Sequence, residues 1–80
     1  MVYRSKHEIL KNILETIQTP KTKTDIMYEN KLSYAQLVAY LKYLLANELY
    51  DYDADYARYR ISDEGKTMLK RLKDLPKIDF

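Results

Sequence analysis

Apolar positions along the chain fall into three helical stripes, then one alternating stretch, then a fourth stripe. Ile9, Leu10, Ile13, Leu14 and Ile17 recur at helical spacing after Ser5 and Glu8, an S-x-x-E pair with the spacing of a capping box, and predict a first helix over residues 6–18. Pro20 closes it, and Thr22 or Thr24 is placed to cap a short second helix carrying Ile26, Met27 and Tyr28, which stops near Asn30. Ser33 and Gln36 make a second capping box, and Leu37, Leu41, Leu44 and Leu45 form one stripe of a third helix ending at Ala46. Asn47, which tolerates a left-handed cap, is followed by the alternating, tyrosine-rich LYDYDADYARYRIS. This predicts a hairpin with strands over 49–52 and 58–61 and a tip over 53–57. Tyr59 and Ile61 should face one side, Arg58 and Arg60 the other. Ser62 then caps a last helix over 62–75 with Met68, Leu69, Leu72 and Leu75 inward, stopped by Pro76.

Two short helices joined by a tight turn, with a hairpin directly after the second, form the winged version of a helix-turn-helix. The expected fold class is therefore α+β, mainly α: three helices, a β-hairpin wing and a C-terminal helix, in one domain spanning 1–80 without linker or repeat. In this arrangement the third helix is the recognition helix. Opposite its leucine stripe lie Ala35, Gln36, Ala39, Lys42 and Tyr43, with no acidic residue. A helix entering a major groove about 12 Å wide benefits from small side chains, from amides and hydroxyls that reach base edges, and from the absence of carboxylates near phosphates. Gln36 suits an adenine edge, and Ser33 with the amides of the helix start is placed to hold a phosphate at the positive end of the dipole. Taken singly, exposed alanines reflect helix propensity and a lone glutamine is solvated. The helix order and the following hairpin turn the balance toward a nucleic-acid surface.

Charge supports this only through its distribution. The net charge is +2, but residues 1–46 hold seven Lys/Arg against four Asp/Glu, residues 47–63 two against five, and residues 64–80 five against three. An anionic partner should meet the first and last of these segments. At 80 residues the chain has one modest core, which makes a partner subunit an expectation. Without cysteine it has neither disulfides nor a thiolate zinc site, which fits a reducing, cytoplasmic setting. No apolar run approaches the ~18 residues of a membrane span and no signal-like apolar segment follows the basic N-terminus, so no membrane partner is expected.

Other chemistries find little support. Asp51, Asp53 and Asp55 imitate the start of a calcium loop, but Tyr56 stands where that loop needs glycine and Ser62 where it needs glutamate. His7, the one histidine, has no cysteine or carboxylate cluster with which to form a nucleophile, base or ligand set, and there is no glycine-rich phosphate loop. Neither catalytic activity, nor a metal, a cofactor or a small-molecule substrate is expected.

SKHEILKNIL in the first helix, KTDIMYENKLSYAQLVAYLKYLL across the second and third, and YRISDEGKTML leading into the fourth together resemble the small archaeal winged helix-turn-helix DNA-binding proteins. That group includes chromatin-associated dimers and transcriptional regulators, some carried by archaeal viruses, whose setting would be the host cytoplasm. The likeness runs over residues 3–69. It implies that Tyr28, Tyr34 and the leucines are structural, that Ser33, Gln36, Ala39 and Tyr43 lie toward DNA, and that Tyr40 sits at the border of the two faces. Lys31, Ala35, Lys42, Arg58 and Arg60 complete the expected DNA-contacting set. Two departures stand out. Glu48 occupies the position usually held by glycine before the first wing strand, leaving Asn47 as the expected cap. The acidic wing tip would repel a phosphate backbone.

The expected function is double-stranded DNA binding by a transcriptional regulator. The alternatives are an architectural binder of low specificity on the same surface, and a winged helix whose uncharged Ala35, Ala39 and Tyr43 surface meets another polypeptide. A homodimer is expected through the last helix, with Met68, Leu69, Leu72 and Leu75 at its interface, the first helix contributing, and Ile78 and Phe80 extending it. Two-fold symmetry would then call for near-palindromic half-sites about 10 bp apart or a multiple of that.

Overall fold

The computed structural model describes residues 5–74, which run α1 (Lys6–Thr16), α2 (Lys23–Glu29), α3 (Tyr34–Ala46), β1 (Tyr50–Asp53), β2 (Arg58–Ile61) and α4 (Asp63–Asp74). The order is the one the hydrophobic pattern predicts. Helix α1 starts at Ser5, whose Oγ accepts the Glu8 amide at 3.1 Å. It ends two residues before the expected position 18, because Ile17 leaves the helix to serve the sheet: its side chain is fully buried and its carbonyl accepts the Ile61 amide at 2.9 Å. The α1–α2 connection then supplies a third, one-residue strand. Lys21 and Tyr59 exchange both backbone hydrogen bonds, at 3.0 and 2.7 Å, so β2 is paired along both edges. Thr22, rather than Thr24, caps α2, and its Oγ1 accepts the Asp25 amide while Asp25 Oδ2 accepts the Thr22 amide.

Two helix ends set the course of the chain into α3 and out of it. After α2, Lys31 adopts a left-handed φ of 54° and donates its amide to Tyr28, while Leu32 donates to Met27. After α3, Glu48 adopts φ 57°, donating to Leu45, and Leu49 donates to Leu44 at 2.8 Å. Both are Schellman ends, in which the first residue past the cap is left-handed and the next returns its amide to the last full turn. The expected left-handed Asn47 is therefore corrected: it sits at φ −103°, its side chain donating to the Tyr43 carbonyl, and the left-handed position falls one residue later. Leu49, buried against the core, belongs to this helix end, which is why β1 begins at Tyr50 instead of at 49.

Ile9, Ile13, Leu14, Ile17, Ile26, Leu37 and Leu44 make the centre of the core, closed by Leu49, Ile61 and Leu69. Leu45, expected in the leucine stripe, is not there, and two tyrosines that the family likeness makes structural are also exposed. Leu45 is 60% exposed because at 3.6 residues per turn it lies about 80° round from Leu37, on the flank of α3 that faces the wing. Tyr34 shares that flank and is also exposed. Tyr28, two residues from buried Ile26, points to the opposite side of α2 and is exposed.

Helix α4 packs on α1 and β2, with Leu69 buried and Met68 and Leu72 half-buried. Leu69 is thus part of the single chain's own core, whereas Met68 and Leu72 keep exposed surface. Leu75, Ile78 and Phe80 lie outside the described residues. Among the described residues no helix is long and apolar enough to cross a membrane.

Candidate nucleic-acid interface

The outward face of α3 is built by the Ser33 cap and by what the leucine stripe leaves outside. Ser33 Oγ accepts the Gln36 amide at 3.1 Å and Gln36 Oε1 accepts the Ser33 amide at 2.9 Å, forming the reciprocal box expected from the sequence. Leu37 donates its amide to the Ser33 carbonyl, and the amides of Tyr34 and Ala35 have no acceptor among the described residues. Lys31, Ser33, Ala35, Gln36, Ala39, Lys42 and Tyr43 are all exposed, and Tyr40 is half-buried at the edge of the core. These positions form one continuous helical face running from the left-handed Lys31 turn to Tyr43.

Charge distinguishes this helix start from the others. Helix α1 has Glu8 in its first turn, α2 has Asp25 and α4 has Asp63 and Glu64, while α3 has no acidic residue there. The partial positive charge of the α3 terminus is left uncompensated on a surface with Lys42 and no carboxylate. The cost is a few tenths of a kcal/mol to about 1 kcal/mol of helix stability that an acidic residue would supply.

The wing has two unlike faces. Tyr50, Tyr52 and Tyr59 share the inner one: Tyr59 lies 5.0 Å from Tyr50, edge-to-face, and 4.9 Å from Tyr52. Burial pushes the Tyr50 and Tyr59 hydroxyls above their usual range. On the outer face, Asp51 stands opposite Arg60 and Asp53 opposite Arg58, so the two arginines face as many carboxylates. Asp53 Oδ1 also accepts the Asp55 amide at 3.0 Å, and Ala57 takes the left-handed turn position at φ 52°. A phosphate approaching Arg58 or Arg60 meets a carboxylate directly across the ribbon, so the wing attracts an anion far less than α3 does.

Between α3 and the inner face of the wing runs a groove of about 170 Å³, with Val38, Leu41 and Leu45 on one side, Tyr50 and Tyr59 on the other, and Lys23 and Lys42 contributing. Lys23 Nζ sits 5.9 Å from the centre of the Tyr34 ring. The sequence reading missed Lys23, Val38 and Leu45 as surface-lining residues. The available signal was angular, since Val38 and Leu45 lie about 80–100° from the centre of the leucine stripe.

The winged helix-turn-helix family profile matches residues 3–79. The chain belongs to the winged helix-turn-helix family. Among solved structures the fold is shared with Sso10a-2, a DNA-binding protein from Sulfolobus solfataricus, at a TM-score of 0.78 and 22% identity, over 88% of this chain and 76% of that one. No curated protein gives a significant sequence match. In winged helix-turn-helix terms α2 and α3 are the helix-turn-helix pair, Lys31 is its turn, and β1–β2 is the wing.

Proposed function

We propose that the protein binds double-stranded DNA with α3 in the major groove and acts as a transcriptional regulator. The observation that carries this reading is the first turn of α3, which among the described helices is the only first turn without an acidic residue, at the head of an exposed face with no carboxylate. Small Ala35 and Ala39 allow close approach, Gln36 and Tyr43 reach toward base edges, and Lys31, Ser33, Lys42 and the rim of Tyr40 position the backbone. Arg58 and Arg60 act as secondary phosphate contacts, weakened by their facing aspartates. Sso10a-2, whose fold this chain shares, is itself a DNA-binding protein. A homodimer through Met68 and Leu72 of α4 would present two copies of α3 to one face of a duplex.

A less selective, architectural role on the same surface is favoured by one observation: the Gln36 carbonyl is already engaged by the Ser33 amide, which competes with bidentate reading of adenine. Fluorescence anisotropy with a labelled duplex, titrated with salt and competed with random and genomic DNA, tests both. DNA binding gives a linear fall of log K with log salt, and selective competition separates regulator from architectural binder. A salt-insensitive interaction, or none, would point to the polypeptide-contact use of the fold.

A further inference from the structure

The groove between α3 and the wing is chemically unlike the rest of the DNA-facing surface. Its sides are apolar and aromatic: Val38, Leu41 and Leu45 from the helix, Tyr50 and Tyr59 from the sheet. Leu45, an aliphatic side chain at 60% exposure, stands outside the core cluster. If α3 occupies a major groove, a DNA strand runs alongside this groove, which shares Lys42 with the outward face of the helix. An apolar floor beneath a phosphate strand is poorly matched to the phosphates and well matched to a base turned out of the stack.

We propose that the groove receives a single unpaired nucleobase, held between the aliphatic residues of α3 and the tyrosines of the wing, so that the protein prefers duplexes carrying a bulged or mismatched nucleotide. Size selects this occupant. At about 170 Å³ the groove is well below the about 300–1,000 Å³ of sites for drug-sized ligands. Charge selects it as well. Lys23 and Lys42 line the same groove, and among the described residues neither has a carboxylate within ion-pair distance. They are available for the phosphates on either side of an extruded nucleotide. Lys23 is held over Tyr34. A stacked base needs only the π-faces and aliphatic edges present here, so the preference should tolerate any base.

The inference rests on the DNA-binding reading, and the test separates the two. Anisotropy of the full chain is measured with a perfect duplex, with the same duplex carrying one unpaired thymidine, and with a tetrahydrofuran bulge that has no base. The thymidine bulge should bind at least about fivefold tighter than the perfect duplex, and the abasic bulge should not. Leu45→Ser should remove the gain while leaving perfect-duplex affinity unchanged. Equal affinity for perfect and bulged duplexes overturns the inference and leaves DNA binding standing. A gain kept by the abasic bulge overturns it too, because flexibility rather than the base would then be read. Failure to bind any duplex removes both readings. Concentration-dependent shifts of the Leu45 methyl signals in DNA-free protein would instead place a second copy in the groove, again overturning it.

Discussion

Gly65 lies directly against the carbonyl of Leu49: a Cβ at position 65 would collide with that oxygen and stand 2.7 Å from Ile61 Cγ1. Helix α4 can approach the wing only because this residue has no side chain. The neighbouring Ser62 fixes the same junction, its Oγ donating to the Glu48 carbonyl at 2.6 Å and accepting the Gly65 amide at 2.9 Å. On helix propensity alone Gly65→Ala would stabilise by about 1 kcal/mol. Because the obstructing atom is backbone, overpacking wins, and the variant should lose about 1–3 kcal/mol in urea denaturation. An unchanged or raised midpoint would show that α4 is not closely docked.

Glu48 and Lys31 hold left-handed conformations that cost a side-chain-bearing residue roughly 1–2 kcal/mol relative to the right-handed region. Glu48→Gly should therefore raise stability by about 1 kcal/mol, and Lys31→Gly by a similar amount. The pair separates fold from function. Both variants should melt higher, but only Lys31→Gly should weaken DNA binding, because Lys31 lies on the α3 face and Glu48 on the far end of that helix. Thermal melts and anisotropy on both variants check this.

What was legible in the sequence was whatever depends on local chemistry. The caps at Ser5, Ser33 and Ser62, the leucine stripe of α3 and the alternation of Tyr59 and Ile61 against Arg58 and Arg60 all follow from neighbours in the chain. Residues set by distant partners were not legible. The Lys21–Tyr59 bridge joins two segments far apart in sequence, and TPKT, four residues interrupted by a proline, has no alternating apolar pattern. The left-handed position after α3 was misplaced because residue preference pointed to Asn47, while the count of hydrogen bonds in the helix end decides for Glu48. Tyr28 and Tyr34, structural residues by family likeness, are both exposed, and the helical wheel already puts Tyr28 opposite Ile26. Of the candidate interface, its helix face was readable and its groove was not, since the groove exists only when the wing folds back beside Val38 and Leu45.

Asp25 gives the fold a defined acid response. Its carboxyl is held below its ordinary range first by hydrogen bonding to Thr22, side chain and then backbone, opposed by slight desolvation and helped by Lys21 and Arg58. A depressed folded-state value means that the ionised carboxylate contributes stability above the unfolded aspartate value of about 3.9. That contribution is lost as pH falls through the lower folded value. Asp25→Asn should thus be less stable than the unmutated protein at pH 7, and the difference should shrink toward acid pH. Denaturation curves from pH 7 to about pH 2 measure the difference; a gap that stays constant or widens toward acid would contradict the capping role.

Of the described residues expected at the dimer interface, Met68 and Leu72 are half-buried and Leu69 is buried in the core. Leu72→Glu should shift a dimer to monomer in sedimentation equilibrium at tens of micromolar while leaving the fold intact, whereas Leu69→Ala should destabilise each chain by about 2–5 kcal/mol. If the unmutated protein is already a monomer there, the palindromic half-site arrangement goes with the dimer.

Gln36 sits where fold and function ask for different residues. At the third position of α3, glutamate would complete the Ser33 capping box as well as glutamine does, and would add the first-turn negative charge that α1, α2 and α4 already have. Gln36→Glu should therefore stabilise the protein by about 0.3–1 kcal/mol. On DNA the same change replaces an amide donor by a carboxylate facing the phosphates, so affinity should fall for every sequence. Gln36→Ala should act differently, losing one strand of the capping box and, if the amide reads a base, about 1–3 kcal/mol of discrimination at one base position with little change elsewhere. Melting and anisotropy on the two variants give a double readout. Higher stability with weaker binding in Gln36→Glu identifies the uncompensated start of α3 as a feature retained for DNA, and undiminished binding would remove the observation on which the functional reading stands.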